Sequence, residues 1–199
     1  MYRYLFVALA AVITTYTYLT YNNNNADKLE YVTVEAPKIE IVISTPAPEP
    51  RAVLDYTQLE CLALNIYHEA RGESVPGQIA VSQVVMNRVK SSRFPNSVCD
   101  VIYQAVHSRW WMETHGRLVP VKYQCQFTWY CDGRSDRPRD MDAWGQALSV
   151  AASVMRNEYN DLTHGALWYH ANYVNPSWRY HFKQTATIGD HVFYTAGNI

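Results

Sequence analysis

This chain has little charge, and what it has is balanced: 17 Lys and Arg face 18 Asp and Glu, for a net charge of −1 in 199 residues. No basic field exists to gather nucleic acid. Only four cysteines occur, and no two stand two residues apart, so the zinc-ribbon type of site is excluded. His68-Glu69 begins like a zinc-peptidase helix, but Gly72 stands where the second histidine is required. There is no internal repeat. Long apolar runs are also missing, with one exception. From Tyr4 to Tyr21 no side chain carries a charge, and Arg3 precedes the run.

That run is long enough for a membrane span, and no small-residue cleavage site follows it. It predicts a signal anchor over 1–21, or a signal peptide, with the rest of the chain exported to the periplasmic or envelope side. Residues 22–53, from four asparagines to Pro46-Ala47-Pro48-Glu49-Pro50, read as an extended tether. Residues 54–199 then form one domain, of ordinary single-domain size. An even cysteine count in an exported chain points to two disulfides among Cys61, Cys99, Cys125 and Cys131, with three connectivities open. Cys61, among apolar neighbours, could equally be a free buried thiol.

What the chain has in abundance is aromatic side chains, with sixteen Tyr and six Trp. It also has a well-marked first helix. Leu59, Leu62, Ala63, Ile66 and Ala70 recur at helical spacing. Thr57-Gln58-Leu59-Glu60 reads as a capping box, and Gly72 as a left-handed stop. Glu69 therefore falls in the last turn, at the rim of a core helix. A carboxyl there, half inside an apolar wall, tends to keep its proton, as a general acid must. A plain helix-end charge paired with Arg71 is the competing reading of these residues.

A second helix follows from Pro76, with Ile79, Ala80, Val84, Val85 and Val89 inward and Asn87, Arg88 and Lys90 outward or capping. A third starts at Ser97 and carries Val98, Val101, Ile102, Ala105 and Val106. Residues 107–123 interleave Arg109, Trp110, Trp111, His115, Arg117 and Lys122: either a grip for a glycan or polyanion, or a hairpin folded on its own tryptophans. Gln124 to Gly133 is β-prone, Asp142 to Glu158 is the longest helix, and Ala166–His170 and His191–Tyr194 read as two short strands. The sum is a mostly helical α+β domain.

With these segments laid out, the chain resembles the SleB-type cell wall hydrolases, the spore-cortex-lytic enzyme family of bacteria and phages. Leu59 to Asn87, LECLALNIYHEARGESVPGQIAVSQVVMN, is similar to the family's signature. Phe94-Pro95 with Val98 to Gln104, Gln126-Phe127-Thr128-Trp129 with Cys131-Asp132-Gly133, and Ala166 to Asn172 with Pro176-Ser177-Trp178 and Ile188 to Tyr194 follow in the family's order. The resemblance implies a lysozyme-like fold that cuts peptidoglycan glycan strands at N-acetylmuramic acid, by lytic transglycosylation and without a cofactor or metal. It implies Glu69 as the catalytic acid. Glu73 is then an orienting or second carboxylate, and Gln126, Thr128, Tyr169, His170 and Asn172 are cleft candidates. The resemblance also favours a Cys99–Cys131 disulfide, since both cysteines lie in its motifs, leaving Cys61 and Cys125 for each other or free. It makes 107–123 an insertion near the cleft.

The weakly apolar N-terminal run resembles the releasable anchors of some phage endolysins; a permanently tethered remodelling enzyme fits as well. The expected partners are peptidoglycan and, through the N-terminal helix, a membrane, with the chain a monomer. Other chemistries compete: a hydrolytic muramidase using a second carboxylate, a cysteine peptidase pairing Cys61 with His170 or His191, a zinc amidase, or a non-catalytic wall-binding module. An apolar helix interior would not activate Cys61, and the zinc ligands are missing.

Overall fold

The computed structural model describes residues 54–196. The expected anchor, the whole of the tether and the last three residues lie outside this range. Among the described residues no helix is long and apolar enough to cross a membrane.

The core is built around helix α1 (Tyr56–Ala70). Asp55 caps it, accepting from the Thr57 and Gln58 backbone N–H groups at 2.8 and 3.4 Å. The cap thus lies two residues before Thr57, which the capping-box pattern favours. The helical bond from Leu59 N–H to the Asp55 carbonyl places Thr57 already inside the first turn. At the other end Gly72 keeps an ordinary φ, and the Glu73 N–H closes the turn on the Ala70 carbonyl.

Helices α2 (Val75–Lys90), α3 (Val98–Ile102) and α5 (Met141–Met155) pack around α1. Leu62 and Ile66 of α1, Val101 and Ile102 of α3, Phe127, and Ala147 and Ala151 of α5 form the main core cluster. A second cluster joins Ala70, Ala80, Val81 and Val84 to Ala166 and to Phe193 of a three-stranded sheet, Ala166 lying just ahead of that sheet's first strand. That sheet has the order β3 (Trp168–Ala171), β5 (His191–Ala196), β4 (Phe182–Ile188), antiparallel throughout. Strand β4 is the element that pattern reading misses. Its Phe-Lys-Gln-Thr-Ala-Thr-Ile run is an edge strand with little apolar alternation.

Three local expectations change. Helix α3 stops at Ile102, so Ala105 and Val106 leave it for β1 (Ala105–His107), where Val106 is exposed. Strand β1 pairs with β2 (Pro120–Cys125), and the β-prone stretch beyond Cys125 becomes a 3-10 turn, Thr128–Cys131. Between β1 and β2 sits α4 (Arg109–His115), which buries none of its residues. Trp110, Trp111 and His115 pack on one another at 4.5–5.1 Å between ring centres. This excursion is thus folded on its own aromatics, and it lines neither of the two grooves described below.

The disulfides are Cys61–Cys99 and Cys125–Cys131. The expected Cys99–Cys131 pair is not formed. Cys99, at the start of α3, faces the buried side of α1 with Cα atoms 5.3 Å apart, and Cys131 closes a six-residue step back to β2. Cys61 is therefore neither a free thiol nor available as a nucleophile.

Candidate active site

Glu69 stands where its helix meets the sheet. It lines a groove of about 230 Å³ with Ala70, Gly72 and Glu73 from the α1–α2 turn and with Ala171, Tyr173, Asp190 and His191 from the sheet side. Burial pushes its carboxyl pKa up, against the pull of the Tyr169 hydroxyl and the Arg88 charge. Tyr169 Oη donates to Glu69 Oε2 at 3.1 Å. Burial, with Glu69 beside it, raises the phenol's own pKa well above the usual tyrosine value, so Tyr169 stays a donor.

Strand parity explains why Tyr169 reaches Glu69 and His170 does not. Successive residues of β3 point to opposite faces, so Tyr169 and Ala171 serve the groove side. His170 points the other way and is buried, with its ring nitrogens 2.9 Å from the Ala171 carbonyl and the Tyr194 hydroxyl. It is a satisfied core histidine, stacked on Tyr194.

Arg88 overturns the expectation that it faces outward. It is 3% exposed. Its Nε donates to the Leu167 carbonyl at 2.8 Å, and its guanidinium lies over the rings of Phe94 and Phe127. With the Gln126 amide oxygen turned toward it, Nη1 and Nη2 donate at 3.1 and 3.3 Å. The guanidinium therefore connects Gln126 to the electrostatics of Glu69. Position in α2 alone gives no hint of this, because a basic residue in a last helical turn normally serves the helix dipole. The one available signal is its place on the apolar stripe, three and four residues after Val85 and Val84.

Glu73 has a different task from Glu69. Its side chain is 11% exposed, and its oxygens accept from the Asp190 N–H at 3.1 and 3.3 Å. His191 Nδ1 lies 3.3 Å from Oε1. Burial holds the His191 pKa below its usual value despite Glu73 and Asp190, so the ring is neutral at pH 7 and this approach is no ion pair. Glu73 thus clamps the α1–α2 turn to the β4–β5 turn. Asn172 ties the same turn, through Nδ2 to Asp190 Oδ1 at 3.1 Å and through its backbone N–H to the Asp190 carbonyl at 2.7 Å. Thr128 is exposed and lines neither groove.

The clamp requires Gly189. Its φ is +57°, and a methyl group there would collide with the Glu73 carboxylate. Gly189→Ala is therefore expected to cost more than about 1 kcal/mol of stability in urea unfolding. An unchanged midpoint would argue against the clamp.

A second groove, of about 330 Å³, opens on the other flank of the last α1 turn. It is lined by Tyr67, His68 and Arg71 together with Trp129 and the loop that follows it. Among the described residues no group of three or more His, Cys, Asp or Glu is arranged to hold a metal.

The cell wall hydrolase family model matches residues 72–194, more than half of the chain. The chain belongs to the cell wall hydrolase family. The matched span begins just past Glu69-Ala70-Arg71, inside the same turn that Glu73 clamps.

The spore cortex-lytic enzyme of Bacillus subtilis is 48% identical over 46 residues, 23% of this chain and 15% of that protein. That of Halalkalibacterium halodurans is 27% identical over 136 residues, 68% of this chain and 34% of that protein. The matches thus span about a third or less of these relatives' own length. Two solved structures are similar. One is the catalytic domain of the germination-specific lytic transglycosylase SleB from Bacillus anthracis, with TM-score 0.52 and 27% identity, covering 72% of this chain and 98% of that one. The other is the catalytic domain of Bacillus cereus SleB, with TM-score 0.50 and 28% identity, covering 72% and 94%. The mostly helical fold with a few short strands matches that of the two SleB catalytic domains, as the motif resemblance implies.

Proposed function

We propose that this cell wall hydrolase domain cleaves the glycan strand of peptidoglycan at N-acetylmuramic acid as a lytic transglycosylase, with Glu69 as its single acid and base. The observation that carries the reading is a desolvated carboxyl at a groove, held by one phenol donor and facing one buried guanidinium. Glu69 enters protonated and gives its proton to the leaving glycosidic oxygen. As carboxylate it then takes the proton of the substrate's own C6 hydroxyl, which closes on the anomeric carbon to leave a 1,6-anhydro end. Tyr169 steadies the carboxylate between the two steps. A hydrolase with two carboxylates needs the second one free at the cleft. Glu73 lines the same groove, but the Asp190 N–H and His191 hold it in the clamp between the two turns, which supports an orienting role and the one-carboxylate route.

Mass analysis of fragments released from purified sacculi tests this. Anhydro ends are expected; reducing ends one water heavier would refute transglycosylation.

Tyr169→Phe removes the bond that stabilises the ionised form of Glu69. The Glu69 pKa then rises further, so the alkaline limb of the pH–rate profile moves up. The plateau rate is expected to drop about tenfold, the equivalent of about 1.4 kcal/mol. A profile that keeps its alkaline limb would argue against the contact.

We further propose that residues 1–21 anchor the chain in a membrane, that residues 22–53 tether the domain, and that residues 54–199 work as an exported monomer. Both disulfides support an oxidising location. A releasable, endolysin-like anchor is one form of this arrangement. Membrane fractionation before and after depolarisation tests it, and failure to release would count against that form.

A further inference from the structure

The groove on the far flank of Glu69 has a chemistry that a neutral glycan does not explain. Arg71, Arg134, Arg137 and Arg139 line it, against Asp132 and Asp136. Four positive and two negative side chains leave an excess of two, in a chain whose whole net charge is −1. Among the described residues, none of the four guanidiniums lies within ion-pairing distance of a carboxylate. The floor is aromatic, with His68 stacked on Trp129 at 4.6 Å between ring centres.

The groove is also braced in place. Tyr67 Oη accepts from the Arg139 and Asp140 N–H groups at 3.0 and 3.1 Å, and His68 Nε2 lies 3.0 Å from the Asp136 carbonyl. The Cys125–Cys131 disulfide holds the segment from which the loop departs. Arg71 is two residues from Glu69, so both grooves are lined from the same end of α1.

Resting on the cleavage reading above, we propose that this groove binds the free carboxylates of the peptide stems on muramic acid, making peptide-bearing strands the preferred substrate. Each muramic acid carries a stem through its lactyl group. A four-residue stem extended from the cleavage point reaches about 14 Å. Guanidiniums take carboxylates through paired, charge-assisted hydrogen bonds. Asp132 and Asp136 add acceptors for stem amide or amino groups.

The test compares full-length wild type with Arg134→Gln/Arg137→Gln, two exposed positions, on peptide-bearing glycan and on the same glycan stripped by an amidase. Wild-type kcat/KM is expected to be at least tenfold higher on peptide-bearing strands, with that ratio falling at least fivefold in the variant. The preference should also weaken with added salt. A wild-type ratio near one, or a ratio unchanged in the variant, overturns the proposal. If wild type cleaves neither substrate, the cleavage reading fails, and the groove is then judged by calorimetric titration with a synthetic stem tetrapeptide. Binding that the double variant loses supports the groove; no wild-type binding overturns it.

Discussion

Glu69→Gln is expected to lower peptidoglycan cleavage by at least about 10³-fold, because an amide can neither give the proton to the leaving oxygen nor take one back. Glutamine keeps the size of the side chain, and its oxygen can still accept from Tyr169 Oη, so the groove should persist. The same variant should be more stable than wild type at neutral pH. The native carboxyl binds its proton more tightly than the unfolded one, because burial raises its pKa. In strong acid both states are protonated and the two proteins differ little on this account. As pH rises through the window between the unfolded and native values, the unfolded state ionises first and the wild-type fold loses stability. Above that window the full penalty of an ionised, desolvated Glu69 is present, and Glu69→Gln removes it. Thermal unfolding at pH 4 and pH 8 checks this: the variant's Tm advantage should be larger at pH 8. Cleavage that survives the substitution would remove Glu69 from the chemistry; an equal Tm difference at both pH values would contradict its buried, proton-holding state. The pattern is the familiar exchange of stability for a functional group held where it is uncomfortable.

The second large effect concerns the frame that carries Glu69. Cys61 and Cys99 close a loop of sequence separation 38, between α1 and α3. By chain entropy alone that link stabilises the fold by about 4 kcal/mol. Cys125–Cys131 closes a separation of only 6, which gives about 2 kcal/mol by the same relation. Cys61→Ala/Cys99→Ala should therefore lower the urea midpoint much further than Cys125→Ala/Cys131→Ala. Because Glu69 lies eight residues beyond Cys61 on the same helix, the first variant should also lose cleavage at temperatures where the second retains it. The reverse order of stabilities would contradict the linkage. Peptide mapping without reduction should recover both pairs, and recovery of a Cys99–Cys131 peptide would refute the pairing outright.

The disulfides show where reading in one dimension stops. Both Cys99 and Cys131 lie in recognisable motifs, but motif membership says nothing about which side chains face each other. The pairing follows from how α3 meets α1, a contact made by Val101 and Ile102 against Leu62 and Ile66. Arg88 shows the same limit from another side. A basic residue near a helix end looks solvated unless the partner that buries it is known, and here the partners are Leu167, Gln126 and two phenylalanine rings. His170 was legible as a residue of interest, yet only the register of β3 on β5 decides that its neighbour Tyr169 takes the groove face.

By itself the sequence determined the helix that carries Glu69, the position of that carboxyl in the last turn, and the helix-rich class of the domain. These depend on local periodicity and on contacts a few residues apart, which the order of side chains states directly. The tertiary structure decided what surrounds the carboxyl. The Tyr169 bond, the buried Arg88 charge and the clamping of Glu73 by Asp190 join residues 100, 19 and 117 positions apart, respectively. Desolvation, the cause that raises the Glu69 pKa, depends on all of these elements closing over one helix end, and no single stretch of chain contains it.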